Sequence, residues 1–437
     1  MTELLNMPQY KTYKASGYLW IGNVPNEWEV TKLGACLSPV SIKNQANLPL
    51  LSITRELGVI VRDINDQESN HNFIPEDLSG YKLLENGQFG MNKMKAWQGS
   101  YGVSKHTGIV SPAYYVFNFT KVIHPEFFNW AIRSKLYVSF FGSASDGVRI
   151  GQWDLSKERM KAIPFLLPSK SEQVAITDFL DKKTDQIDEA VAIKQQQIEL
   201  LKERKQIIIQ QAVTQGLNPD ALMKDSGVDW IGKIPEHWKV RRAKYLFDEI
   251  DERSVNGDEE LLSVSHITGV TPRSEKNVTM IAEDYSGSKT CQQNDLVMNI
   301  MWAWMGALGV SDRPGIVSSA YSIYRQKPLN IFNPVYLEWL LKTVGYIEHY
   351  NKVSTGLHSS RLRFYSRMFF DMEIGFPCCN EQDHIVAHVE VQSNKIDQAV
   401  KLQRQQIEKL KEYKTTLINS AVTGKIKVPQ NQESVLS

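Results

Sequence analysis

The chain repeats itself at an interval of about 209 residues. This constrains its fold more than any other feature, because whatever one half forms the other must form again. Ser16 to Val30, SGYLWIGNVPNEWEV, matches Ser226 to Val240, SGVDWIGKIPEHWKV, at eight of fifteen positions, with Trp20/Trp230, Pro25/Pro235 and Trp28/Trp238 in register. MNKMKAWQGSYGVSKHTGIVSPAYY from Met91 aligns with MNIMWAWMGALGVSDRPGIVSSAYS from Met298. Residues 186 to 217 pair with 395 to 426, half of the 32 positions being identical. Each half is a globular unit of roughly 165 residues followed by a helical unit of roughly 45, so the 437 residues need at least two hydrophobic cores.

The helical block carries a heptad seam. Ile187, Val191, Ile198, Leu201, Ile208 and Ala212 alternate spacings of four and three once Lys194 and Lys205 take seam positions. The second copy runs Ile396, Val400, Gln403, Ile407, Leu410, Lys414, Leu417 and Ala421. Ser169 with Glu172 reads as a capping box after Pro168, Asn380 with Asp383 as a weaker one after Pro377, and Gly216 and Gly424 as stops. A rod with one apolar stripe needs a cover. The other copy, paired antiparallel as the chain doubles back, is one solution; packing of each helix on its own domain is the alternative. In the globular units, short β-branched runs (Leu51 to Thr54, Val59 to Arg62, Gly108 to Val110, Tyr114 to Phe117) mix with helical patterns over Phe127 to Tyr137 and Val335 to Tyr346, which predicts α+β domains.

W-I-G-x-[IV]-P-x-x-W near the start of each half, M-N-x-M-x-A-W-x-G in its middle and a long E-Q-headed helix ending in A-V-T-x-G together resemble the specificity subunit of type I restriction-modification enzymes. The resemblance covers nearly the whole chain. It implies two pseudo-symmetric target-recognition domains of mixed α/β structure, at 1–168 and 217–377. Two spacer helices, at 169–216 and 378–426, would pair as an antiparallel coiled coil, leaving a tail at 427–437. It further implies that each domain reads one half of a bipartite double-stranded DNA target, while the paired helices set the spacer and dock two methyltransferase subunits. Two restriction/translocase subunits would complete the assembly. S-adenosylmethionine, ATP and Mg belong, on this resemblance, to those partners, and this chain binds no cofactor.

The residues themselves supply little catalytic chemistry. The nearest match to an N/D-P-P-Y/F methyltransferase tetrapeptide is Asn333-Pro334-Val335-Tyr336, which lacks the second proline and stands where Pro fits a first helical turn. No G-x-x-x-x-G-K-[ST] phosphate loop is present. His384 and His388 have metal-ligand spacing, but Ile385 stands where H-E-x-x-H needs Glu. Cys36, Cys291, Cys378 and Cys379 form no C-x-x-C pair, which argues against a zinc site or a disulfide framework. No uninterrupted apolar run of membrane-spanning length and no secretory start is seen, so a cytoplasmic protein without a membrane partner is expected.

Fifty basic against 49 acidic residues leave a net charge of +1, so any nucleic-acid surface must be local. Between Glu85 and Glu126 there is no carboxylate, while Lys93, Lys95, Lys105 and Lys121 alternate with Trp97, Tyr101 and Tyr114. A second acid-free stretch holds Lys352, Arg361, Arg363 and Arg367. Between the copies Met91, Asn92, Ala96, Trp97 and Gly99 persist, whereas Lys93, Lys95, Gln98, Lys105 and His106 become Ile300, Trp302, Met305, Asp312 and Arg313. Different polar groups on a common frame are what reading two unlike half-sites requires, although neutral surface drift gives the same pattern. A second candidate reader is the loop with Asp146, Arg149, Gln152 and Trp153, matched by His358, Ser359, Ser360, Arg361 and Arg363. A coiled-coil scaffold that binds no DNA, or a single-chain DNA-modifying enzyme, remains the rival reading.

Overall fold

The computed structural model describes residues 7–63, 74–147, 153–273, 284–327, 331–356 and 362–429. The chain divides into two compact units, Met1–Gln195 with Arg404–Ser437, and Gln196–Gln403. Both are mixed α/β, and two helices of 46 and 44 residues, Lys170–Gln215 and Cys379–Val422, contribute a part of their length to each.

In the first unit a four-stranded antiparallel sheet runs in the order Leu37–Val40, Tyr115–Phe119, Phe89–Met91, Tyr101–Val103. Alternation turns Phe89, Met91 and Phe117 into a core with Phe127, Phe128 and Phe141, all essentially inaccessible to solvent. Phe89 meets Phe128 edge-on at 5.1 Å. The hairpin of Leu51–Thr54 with Gly58–Val61 and the pair Lys82–Leu84 with Gly108–Val110 enclose a smaller core of Leu51, Ile53, Val59, Leu84, Val110 and Val116. The second unit repeats this plan with Phe247–Ile250, Tyr321–Gln326, Leu296–Asn299 and Leu308–Val310 as its sheet, and with Leu262–Ser265 and Gly269–Pro272 as its hairpin.

Two sequence expectations are corrected. The helical stretch expected over Phe127 to Tyr137 is two helices, Pro125–Ile132 and Lys135–Ser143, and its copy is Pro334–Leu341 and Val344–Val353. Ser134 and Thr343 adopt extended backbone at the break, with ψ of 154° and 155°. The Thr343 hydroxyl donates to the Leu340 carbonyl at 2.8 Å, offering the backbone a local partner in place of helix continuation. The weaker capping box is also absent: Asn380 lies inside the first turn of a helix that begins at Cys379, and Asp383 accepts instead from the Asn333 side chain at 2.8 Å. Asn333 caps the helix that starts at Pro334, accepting from Val335 N at 2.9 Å, so the near-match to a catalytic tetrapeptide is a helix start.

The helix pairing is antiparallel. In the first unit Lys414 reaches Asp188 at 2.5 Å and Lys194 reaches Gln406 at the same distance, so the numbering falls on one helix as it rises on the other. In the second unit Lys205 binds Asp397 at 2.8 Å. Ile187, Ile198, Ala212, Ile396, Ile407, Leu417 and Ala421 are buried, and the remaining seam positions are half-buried. The seam lysines bury their stems and carry their charges to flanking acids and amides.

The helix starts explain the E-Q pair. Glu172 N donates to the Ser169 hydroxyl oxygen at 3.3 Å, while the Glu172 carboxylate accepts from the Trp28 indole at 3.0 Å and from the Tyr10 hydroxyl. Glu381 accepts from the Trp238 indole at 3.0 Å in the same way. The adjoining Gln173 and Gln382 are buried and tie the preceding turn together, donating to Pro168 O at 2.9 Å and Pro377 O at 3.0 Å. The second tryptophan of each W-I-G motif thus fastens a long helix to its domain.

Candidate nucleic-acid interface

The M-N-x-M-x-A-W-x-G motif forms the connection between a central strand of each four-stranded sheet and the edge strand paired with it. Its persistent residues shape it: Asn92 Oδ1 accepts from Met94 N at 3.2 Å and Asn299 Oδ1 from Met301 N at 3.1 Å, while Gly99 and Gly306 take φ of 95° and 80°. Only a residue without Cβ adopts that backbone freely. The residues that differ between copies are left to project.

Lys93 is half-buried and donates to Asp154 at 2.8 Å, a bond that raises its pKa above the ordinary lysine value. Lys95 is exposed. Trp97 packs on Trp153 with ring centroids 5.3 Å apart. In the second unit Trp302 is 48% exposed and stacks on Trp304 at 6.0 Å. Leu155 and Phe364 lie against this connection in their respective units, Leu155 N donating to Lys93 O at 3.1 Å and Phe364 N to Ile300 O at 2.9 Å. That contact puts exposed Arg363 beside Ile300, where the first unit has the Asp154–Lys93 pair.

Lys105 and His106 do not join this group. They lie exposed past the far end of Tyr101–Val103, and Arg313 lies past the far end of Leu308–Val310. Arg313 is held by Asp312 at 2.9 Å and Glu260 at 3.6 Å, and the Asp312 bond raises its pKa. Lys121 of the acid-free stretch pairs with Glu29, brought in from another strand. The stripe that looked continuous in sequence is therefore two separate groups, part of whose charge is neutralised by distant acids. Arg149, Gln152, His358, Ser359, Ser360 and Arg361 lie outside the described residues. Among the described residues no three His, Cys, Asp or Glu side chains gather as a metal site; His384 and His388 are both exposed. No described helix is long and apolar enough to cross a membrane.

Each unit also has an open cleft beside its hairpin. The first, about 830 Å³, is lined by Ser52, Arg55, Arg62, Lys95, Ser111 and Tyr114 among others. The second, about 580 Å³, is lined by Ser263, Arg273, Ser318, Ser319 and Tyr321 with the turn at Asp284. Of these, Lys95 and Tyr114 stand out in the sequence. The signal that would have found the rest is the S-x-A-Y shared by both copies and the arginine that follows each hairpin.

No family model matches the chain. The type I restriction enzyme MjaVIII specificity subunit of Methanocaldococcus jannaschii is 24% identical over 310 residues, covering 67% of this chain and 69% of that protein. In sequence the chain is thus similar to a type I specificity subunit. A chain from a solved type I restriction-modification assembly, described for its complex assembly and conformational transition, shares the fold with a TM-score of 0.63 at 14% identity, covering 91% of this chain and 98% of that one. The HsdS subunit from Thermoanaerobacter tengcongensis gives 0.55 at 14% identity, covering 92% and 98%.

Proposed function

We propose that this chain is the non-catalytic DNA-specificity subunit of a type I restriction-modification complex, each domain reading one half of a bipartite target. The observation that carries this is the doubled scaffold: Asn92/Asn299 and Gly99/Gly306 build the same connection twice, while Lys95/Trp302 and Gln98/Met305 present unlike groups from it. A duplicated frame with different donors and acceptors suits two different half-sites. The base-contact candidates are Lys95, Trp97, Lys105, His106, Trp302, Arg313 and Arg363, with Lys93 held mainly by Asp154.

The long helices suit the docking of two methyltransferase subunits and the setting of the spacer. Ile193, Leu200 and Ile207 stand at heptad spacing on the first helix, 49%, 56% and 47% exposed, an apolar stripe separate from the buried seam. S-adenosylmethionine chemistry belongs to those partners, which would flip the target adenine out of the stack, and ATP and Mg to the restriction subunits. The complex would work in the cytoplasm on chromosomal or invading DNA.

Methylated-base mapping in a strain carrying the chain with its methyltransferase subunit tests this. A bipartite adenine-methylated motif is expected, and the purified chain alone should transfer no methyl group. Turnover by the isolated chain, or loss of DNA-free scaffolding as the sole effect of deleting it, would refute the assignment.

A further inference from the structure

The two clefts are lined by the same four polar residues: Ser52, Arg62, Ser111 and Tyr114 in one, Ser263, Arg273, Ser318 and Tyr321 in the other. Their placement is equivalent in detail. Each arginine directly follows the hairpin and donates its backbone N–H at 2.8 Å across to the residue before the hairpin's first strand, Leu50 or Leu261. Each S-x-A-Y segment is one turn, with Tyr114 N donating to Ser111 O at 2.9 Å and Tyr321 N to Ser318 O at 2.9 Å. The serine hydroxyls accept from Ala113 N at 3.4 Å and Ala320 N at 3.3 Å. Burial raises the pKa of both phenols, and the charge of the cleft arginine pulls each one back, placing Arg62 by Tyr114 and Arg273 by Tyr321.

Folding alone explains the retention of buried apolar residues between the copies, such as Met91 and Met298. Turn formation explains the retained Ser111 and Ser318, but not a retained half-buried arginine and tyrosine that line an open cleft in both copies. Among the described residues lining the clefts, Glu56 is paired with Arg55 at 2.6 Å, and Asp284 accepts from both the N–H and the hydroxyl of Ser286 at 2.7 Å. Asp63 adjoins Arg62 in the first cleft.

Resting on the DNA-reading role proposed above, we infer that this shared set grips the sugar-phosphate backbone in both domains, and that discrimination between bases falls to unlike neighbours such as Lys95 and Trp302. Two domains that read different sequences have the phosphates in common and little else. A guanidinium pairs with phosphate oxygens through parallel N–H donors, and serine and tyrosine hydroxyls supply the neutral donors usual at such contacts.

The test uses the chain assembled with its methyltransferase subunits and two duplexes of equal length, one carrying the mapped target and one scrambled. Arg62→Ala and Arg273→Ala should each weaken both duplexes by a similar factor, roughly tenfold or more, and lower the slope of log affinity against log salt by about one. The methylated motif should stay the same. Arg62→Lys should keep most of the slope, which a fold defect in the alanine variant would not imitate. Relaxed sequence choice in one half-site would make the arginine a base reader and overturn the inference, as would unchanged affinity and slope. If the unsubstituted complex bound neither duplex, the DNA-reading role itself would fall first.

Discussion

At the scale of single residues the two copies serve as internal controls. Gly216 and Gly424 end the two long helices with φ of 79° and 69°, a conformation that costs other residues about 1–2 kcal/mol. Their surroundings differ. A Cβ on Gly424 would lie 2.4 Å from the Pro25 ring, whereas one on Gly216 would come no closer than 3.3 Å, to the Glu381 carboxylate. Gly216→Ala should therefore lower stability by about 1–2 kcal/mol and Gly424→Ala by clearly more, as read from denaturant midpoints of the two variants. Equal losses would show that the Pro25 ring moves aside at little cost.

His349 gives a second residue-scale prediction. It is buried and stacks on Trp230 at 3.7 Å; desolvation, with Lys352 nearby, lowers its pKa below the ordinary value of 6.5. The unfolded chain then binds a proton more readily than the folded one. The neutral imidazole's share of stability is thus complete above about pH 6.5 and is lost as pH falls through the lowered folded pKa. His349→Phe keeps a ring against Trp230 and removes the proton site. Thermal melts between pH 8 and 5 should show the unsubstituted protein losing more stability toward acid than the variant, and parallel curves would contradict this.

At the scale of elements, legibility followed the range of the signal. The long helices could be read because a heptad seam repeats a local rule many times, and even Lys194, Lys205 and Lys414 fell into place as seam lysines. The break at Ser134 and Thr343 was hidden because one residue of extended backbone interrupts an otherwise apolar helical pattern. The clefts were hidden for another reason: Ser52, Arg62 and Tyr114 are far apart in sequence, and only strand pairing assembles them. The antiparallel register makes its own prediction. Lys205→Asp or Asp397→Lys alone should destabilise the pair by about 0.5 kcal/mol, and the double exchange should restore most of it, with a coupling that shrinks as salt screens the charges. A coupling of zero at low salt would mean that the seam alone sets the register.

At the scale of the whole molecule, the proposed function and the duplication predict that the two domains are exchangeable, but the cores show where the exchange must respect packing. In the first unit Ile176, Leu180, Leu417 and Ala421 belong to the same buried cluster as Trp28, Phe127 and Phe165. A recognition domain is therefore not a bead hung on a rod; its core is completed by both helices. Replacing residues 16–165 with the equivalent domain of a type I specificity subunit should change one half of the methylated motif and leave the other half and the adenine chemistry unchanged. The graft should be stable when it brings side chains matching those helix positions. A graft that ignores them leaves buried gaps against Ile176 and Leu417, each costing on the order of 1–3 kcal/mol. Carrying the helix segments 170–195 and 404–426 along with the graft should recover that loss without altering which half-site changes. Methylation mapping and thermal melts on the two grafts separate the effects. A change in both half-sites would show that the domains do not read independently, while equal stability of the two grafts would show that the helix contacts add nothing to the domain's own core.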